Sequence, residues 1–183
     1  MVERIYVEKK PEYDNASKSL KAELKNVLGI NCDYVRKILL YDIEGVDAFT
    51  FETAKRTIFS EPTVDVTYKD IDFLKNKQII VVKYLDGQYD QRADSAQQCV
   101  QLLTSGIRPL VSCAAIFVFD GLSDSELKRI KKHLINPVDS MEGNLVLPNT
   151  LKKERAKLSK MRIVVDGFID MDIDTGGRFT AGS

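Results

Sequence analysis

The sequence predicts an α+β fold made of two similar halves, each an open sheet with helices on one face. Three observations predict this class. Short β-branched runs alternate with amphipathic segments of helical period along residues 4–140. The order strand, helix, strand, helix occurs twice, with a candidate fifth element, a strand, after each set. Residues at corresponding places in the two halves are also alike, which is the pattern of an internal repeat.

The first half, residues 1–70, begins with an alternating strand at 4–8. Asp14 or Asn15 caps the helix that follows, and Gly29 supplies its C-terminal stop. The apolar stripe of this helix lies at helical spacing and comprises Ala16, Leu20, Leu24, Val27 and Leu28. This spacing predicts a helix that packs one face on a sheet.

The rest of the first half predicts two strands around a short helix. The strand segments are residues 35–43 and 63–68. Thr50 is the expected cap of the helix between them, and Pro62 the residue that stops it. Residues 69–77 would then connect this half to the next.

The second half, residues 71–140, repeats this order. Its predicted elements are a strand at 78–84, a helix from about 90 to 104, a strand at 110–119 and a helix after residue 123. Ser123 and Glu126 have the spacing of a capping box, and Asn136-Pro137 stops that last helix.

Residue identities support a duplication. Six pairs are separated by 76 residues: Tyr13/Tyr89, Asp14/Asp90, Gly45/Gly121, Ala54/Ile130, Lys55/Lys131 and Ile58/Leu134. Strands joined by helices cross over with one hand, so each half approximates the split-βαβ, ferredoxin-like plan. Such a half leaves one sheet face bare, and we expect the two to pack as an intramolecular pseudo-dimer. The tail, residues 141–183, is expected to be loosely ordered and to lead towards a linker domain.

Composition excludes several classes of function. Lys+Arg and Asp+Glu number 27 each, so neither a nucleic-acid footprint nor a polybasic membrane patch is indicated. No apolar run reaches the roughly 20 residues of a membrane span. Cys32, Cys99 and Cys113 have no metal or redox spacing and are expected to be buried, reduced thiols. We expect a cytoplasmic protein.

The strongest candidate site is the loop between the predicted strand 78–84 and its helix. It concentrates polar side chains around a helix start, and the candidate residues are Gly87, Gln88, Tyr89, Asp90, Gln91, Arg92 and Ser95. Free N–H groups at a helix start attract anions, and Arg92 would add a positive charge. The alternative is an ordinary capped loop with a solvated polar face.

Other chemistry is weakly indicated. The single histidine, His133, is expected on a helix surface or half-buried, and no catalytic triad can be built with it. Asp170, Asp172 and Asp174 alternate, but they lack the glycine and glutamate of a calcium loop, so no metal site is expected. No catalytic residue is assigned.

Several segments resemble the N-terminal domain of the large, single-chain form of phosphoribosylformylglycinamidine synthase, the glutamine-dependent ligase of purine synthesis. The matching segments are 4–11 (RIYVEKKP), 41–45 (YDIEG), 59–62 (FSEP), 87–96 (GQYDQRADSA), 98–99 (QC) and 134–139 (LINPVD). They cover residues 2–140 well and the tail weakly.

The resemblance implies a domain like a fused dimer of the PurS-type small subunit found in split versions of the enzyme. The complete ligase converts formylglycinamide ribonucleotide, ATP and glutamine to formylglycinamidine ribonucleotide, ADP, phosphate and glutamate. By resemblance, the partners are synthetase and glutaminase domains on the same or a separate chain, and ATP and Mg belong to those domains. The loop at 87–95 would face the synthetase site, and we expect this chain to be inactive alone and to be a fragment or a split gene product.

Two alternatives of other classes stay open. One is an independent, dimerising ferredoxin-like module that binds a ligand or regulates. The other is a small hydrolase of the acyl-phosphatase kind that uses Arg92 on phosphate; it requires a water-positioning side chain that the sequence does not identify.

Overall fold

The computed structural model describes residues 1–152, which form one six-stranded antiparallel sheet with four α-helices. The strands are β1 (Val2–Lys9), β2 (Val35–Glu44), β3 (Asp65–Tyr68), β4 (Gln78–Tyr84), β5 (Leu110–Phe119) and β6 (Ser140–Glu142). The helices are α1 (Asn15–Leu28), α2 (Ala48–Thr57), α3 (Gln91–Leu103) and α4 (Asp124–Leu134). The predicted α+β class is confirmed.

Local capping chemistry sets most helix boundaries. Gly29 ends α1 in the left-handed conformation, at φ +66°, and the capping box predicted at the start of α4 is present. The expected cap of α2 is wrong: the side chain of Asp47, not Thr50, caps it, and the Thr50 N–H donates to Asp47 Oδ1 at 2.6 Å. Thr50 therefore lies inside the first turn, because a cap precedes the N–H groups that it satisfies.

The two halves meet edge to edge. The strand order is β3-β1-β2-β5-β4-β6, and the ten-residue central strands pair along their whole length, from Val35–Phe119 to Glu44–Leu110. Their pairing satisfies the backbone of both inner edges and leaves only the short strands β3 and β6 outermost. The order within each half is therefore the same, read outward from β2 or from β5.

All four helices cover one face of the sheet, here called the helix face. One cluster packs α2 and α3 on β1 and β2, through Phe51, Val100 and Ile5. The other packs α1 and α4 on β4 and β5, through Leu24 and Ile80 among others. Each cluster contains one helix from the first half and one from the second, so both halves contribute to both clusters.

The opposite face is covered by two irregular segments. Leu74, in the connector between the halves, is 1% exposed and packs on the centre of this face. Residues 143–152, here called the C-terminal strap, cover the other end, where Leu145 packs against the same cluster and Leu151 is buried.

The expected loose order from residue 141 onward is wrong for the strap. Glu44 accepts hydrogen bonds from the Leu151 N–H at 2.7 Å and the Thr150 hydroxyl at 2.9 Å, and Arg4 donates to the Leu145 carbonyl at 2.6 Å. The sequence pattern missed these contacts because they join positions over 100 residues apart. Residues 153–183, and with them most of the predicted tail, lie outside the described residues.

All three cysteines are free thiols, and they differ in burial. Cys32 is buried and Cys113 is half-buried, whereas Cys99 is exposed on α3. The expectation of a buried Cys99 is therefore wrong, since its position falls on the solvent side of the helix. His133 is half-exposed, as predicted, and its Nε2 lies 3.0 Å from Glu23 Oε1 on α1.

Candidate functional site

A tight turn holds the first part of the candidate loop. The Gln88 N–H donates to the Leu85 carbonyl at 3.0 Å, and the Leu85 N–H donates to the Asp139 carbonyl at 2.9 Å. Gly87 has φ +93°, a backbone conformation that residues other than glycine rarely adopt. The backbone therefore leaves β4 in a defined direction.

Helix α3 fixes the other end. Asp90 caps it by accepting from the Ala93 N–H at 3.1 Å, and Ala93 and Ala96 are buried against the sheet. Because Ala93 and Ala96 mark the buried side of α3, the predicted site residues on the rest of the helix lie outside the core. Gln88, Tyr89, Gln91, Arg92 and Ser95 are exposed, while Gly87 and Asp90 are half-buried.

Asp94 ties the loop together. Its carboxylate accepts from the Tyr89 hydroxyl at 2.9 Å, from Gln98 Nε2 at 3.0 Å and from Arg108 Nη2 at 2.6 Å. Asp94 is thus engaged by Arg108, and Arg92 forms no hydrogen bond or ion pair within residues 1–152. The arginine that supports the loop is therefore Arg108.

Arg92 acts instead on the two central strands. Its positive charge affects three groups on the helix face, namely Lys37 and Tyr41 of β2 and Cys113 of β5. Burial lowers the pKa of Lys37, Arg92 lowers it further, and Asp14 opposes both effects. The Lys37 ammonium lies 5.8 Å from the centre of the Phe117 ring, and among residues 1–152 no carboxylate forms an ion pair with it.

A strip of half-exposed residues between the two helix pairs, here called the groove, includes Lys37. The two helix pairs leave the middle of the helix face incompletely covered, although β2 and β5 are central strands. Lys37, Leu39, Ala115 and Phe117 are half-exposed there. Arg92 is exposed beside this groove, so two cations lie near each other at the start of α3.

Sequence reasoning missed Lys37, although a signal was present. The alternation of β2 assigns residues 35, 37, 39, 41 and 43 to one face, and the other four are apolar or aromatic. A lysine at a position that the pattern assigns to the helix face is an exception that points to a function or to an opening.

The charges in the groove are suited to binding a negatively charged group. Adjacent cations without a paired carboxylate attract an anion or an acidic surface. Burial raises the pKa of the Cys113 thiol, Asp90 adds to the rise and Arg92 opposes it, which keeps this thiol protonated and unreactive at neutral pH. Tyr41 is held protonated as well, since burial first and then Cys113 raise its pKa to about 12, against the opposing effect of Arg92.

In the described part of the chain, no three His, Cys, Asp or Glu side chains are grouped so that they could hold a metal ion. Asp170, Asp172 and Asp174 lie outside that part. None of the helices within residues 1–152 combines the length and the apolar character needed to cross a bilayer. The chain matches no protein-family model, no curated protein and no solved structure.

Proposed function

We propose that this chain is the N-terminal, noncatalytic domain of a phosphoribosylformylglycinamidine synthase, built from two duplicated ferredoxin-like halves that form an intramolecular pseudo-dimer. The symmetrical strand order carries the proposal. Reading outward from β2 and from β5, both halves have the central strand, then the first strand, then the short third strand. A fused dimer of one small subunit would have this order.

The register supports the same proposal. In the first half Ile5 pairs with Tyr41, and in the second Ile80 pairs with Phe117. The offsets are therefore 75 residues from β1 to β4 and 76 from β2 to β5. When the 76-residue spacing of the sequence pairs is applied to β2 and β5, the register sets the spacing of β1 and β4 at 75 residues, which is what a duplication with one deleted residue would give.

The candidate site supports a role against another domain. Arg92 and Lys37 offer two cations without an ion-pair partner in the described chain, beside an exposed loop of fixed conformation. In the assembled enzyme this surface would meet the synthetase domain near the nucleotide substrate. Gln88, Gln91 and Ser95 would supply the neighbouring hydrogen bonds.

Reconstitution tests the proposal. The purified chain is mixed with a synthetase–glutaminase polypeptide of such a ligase that lacks its own N-terminal domain, and ADP release is measured with formylglycinamide ribonucleotide and glutamine. We expect activity only in the mixture, together with a stable complex. Absence of both the complex and the activity would contradict the proposal, and binding of purine intermediates by the chain alone would favour an independent ligand-binding module.

Arg92→Ala tests the site within that experiment. We expect it to lower the activity of the mixture by about tenfold or more, because a charged hydrogen bond to substrate or partner contributes roughly 1.5–3 kcal/mol. The matched control is Lys18→Ala, which removes an exposed cation from the first turns of α1. Equal activity of the two variants would show that the loop is not the functional surface.

A further inference from the structure

A cavity of about 180 Å³ lies between the sheet and the C-terminal strap, on the face opposite the helices. Its polar wall consists of Arg4, Asp42, Lys83, Ser112 and Asn144. Its apolar wall comes from both the sheet and the strap, through Leu40, Ala114, Val146, Pro148 and Leu151. It lies on the other side of the sheet from the groove with Lys37.

Arg4 and Asp42 neutralise each other in this wall. Arg4 Nε and Nη2 donate to the two carboxylate oxygens of Asp42, at 2.7 and 2.9 Å, and both side chains are nearly buried. The remaining terminal nitrogen of Arg4 donates to the Leu145 carbonyl of the strap. This pair therefore shapes the cavity without adding net charge.

Lys83 has no such partner. Within residues 1–152 its ammonium forms no ion pair, and the Ser112 hydroxyl forms no hydrogen bond. The Asn144 carboxamide oxygen accepts from the Val146 N–H at 3.0 Å, which leaves its NH₂ group available. The cavity thus presents one uncompensated cation, one hydroxyl and one amide donor.

The corresponding place in the first half is filled. By the register offsets, Glu8 corresponds to Lys83 and Arg36 corresponds to Ser112. By the pairing of the outer strands, Tyr68 corresponds to Gly143. Arg36 Nε donates to Glu8 at 2.8 Å, and the Tyr68 hydroxyl donates to the same carboxylate at 2.9 Å.

At this place the second half therefore has smaller side chains than the first half, and it has no carboxylate that corresponds to Glu8. A tyrosine is replaced by glycine and an arginine by serine, which removes the side chains that occupy this space in the first half. A glutamate is replaced by Lys83, which leaves a cation where a carboxylate stood. The site has the donors for a carboxylate that the chain itself does not supply.

We propose that this cavity binds a small monocarboxylate with a short apolar chain. The carboxylate bonds to Lys83, Ser112 and the Asn144 amide, and the chain contacts Leu40, Ala114 and Pro148. A cavity of about 150 Å³ holds benzene, so this volume suits an acid of about four carbons. Phosphate is disfavoured because one cation cannot balance a dianion against an apolar wall.

Isothermal titration calorimetry of the full chain with butyrate at neutral pH tests this site. We expect saturable binding of butyrate, no binding of the neutral analogue butyramide, and weaker or absent binding of inorganic phosphate. Lys83→Met should weaken butyrate binding about tenfold or more, because it removes a charge-assisted hydrogen bond. The control Lys18→Met changes an exposed lysine on α1, which lies on the other face of the sheet, and should leave binding unchanged.

A second variant rebuilds the ion pair of the first half. Lys83→Glu combined with Ser112→Arg should fold, as thermal melts monitored by circular dichroism would show, and should not bind butyrate. Four results would each overturn the proposal: no heat with butyrate, equal binding of butyramide, tighter binding of phosphate, or wild-type affinity in a folded Lys83→Met variant.

Discussion

At the scale of single residues, Lys37 carries a cost in stability that Asp14 offsets only in part. Its ammonium is half-buried beside Arg92, and burial and Arg92 both lower its pKa below 10.5. We therefore expect Lys37→Met to stabilise the protein at neutral pH, measured by urea unfolding. The gain should vanish as the pH rises through about 10.5, since the unfolded lysine then also loses its proton. A destabilised variant would show that Lys37 supports the fold instead.

Glu8 has the opposite role. It is 7% exposed and binds both Arg36 and Tyr68. Glu8→Gln leaves the Arg36 guanidinium, whose side chain is 27% exposed, without its counter-charge, so we expect a loss of about 1–3 kcal/mol in the free energy of unfolding. Glu12→Gln, at an exposed position, is the control and should change stability by less than about 0.5 kcal/mol. Equal effects of the two changes would contradict this account.

At the scale of elements, the far end of the C-terminal strap is attached through the carboxylate of Glu44, whereas Arg4 holds its first part through the Leu145 carbonyl. The Leu151 N–H lowers the pKa of Glu44 most, and the Thr150 hydroxyl lowers it further. An acid whose folded pKa is lowered stabilises the folded state above its unfolded pKa, and this contribution is lost as the pH falls through the folded pKa. We therefore expect the Leu151 amide proton to shift in NMR spectra on acidification below about pH 4.5.

Glu44→Gln provides the matched comparison for the strap. The glutamine oxygen can still accept one hydrogen bond, but it does not titrate, so the acid-dependent shift of the Leu151 amide should disappear. A shift that persists in this variant would assign the effect to another group.

At the scale of the whole molecule, the two halves depend on each other. Each helix-face cluster takes one helix from either half, and β2 pairs with β5 along ten residues. We expect residues 1–70 alone to give no dispersed spectrum of a folded monomer, because separation exposes both clusters and the long inner edge of β2. Coexpression with residues 71–152 should yield a one-to-one complex, measured by analytical ultracentrifugation. A folded monomer of residues 1–70 would contradict this dependence.

The candidate loop shows how far sequence reasoning reaches. The Asp90 cap, the turn at Gly87 and the exposure of Arg92 follow from hydrogen bonds and helical phase within about ten residues, which is the range over which a sequence pattern predicts structure. The neighbourhood of Arg92 does not follow, because Lys37 lies 55 positions earlier and only the pairing of β2 with β5 brings it beneath α3. The cavity is less predictable still, since the strap that closes it shows no periodic pattern.

The sequence by itself determined which segments become strands and helices. Strands β4 and β5 begin and end at the predicted residues. Of the predicted stripe of α1, Leu20 and Leu24 are buried, whereas Ala16 and Val27 are exposed, so the stripe was only partly right. Periodicity and caps act over a few residues, so they can be deduced from a single chain. Only the tertiary structure decided that the halves join edge to edge, that their helices combine in mixed pairs, and that Lys83 meets no carboxylate where Glu8 meets Arg36. These arrangements depend on the pairing of distant strands, which local pattern does not specify because many pairings bury the same apolar faces.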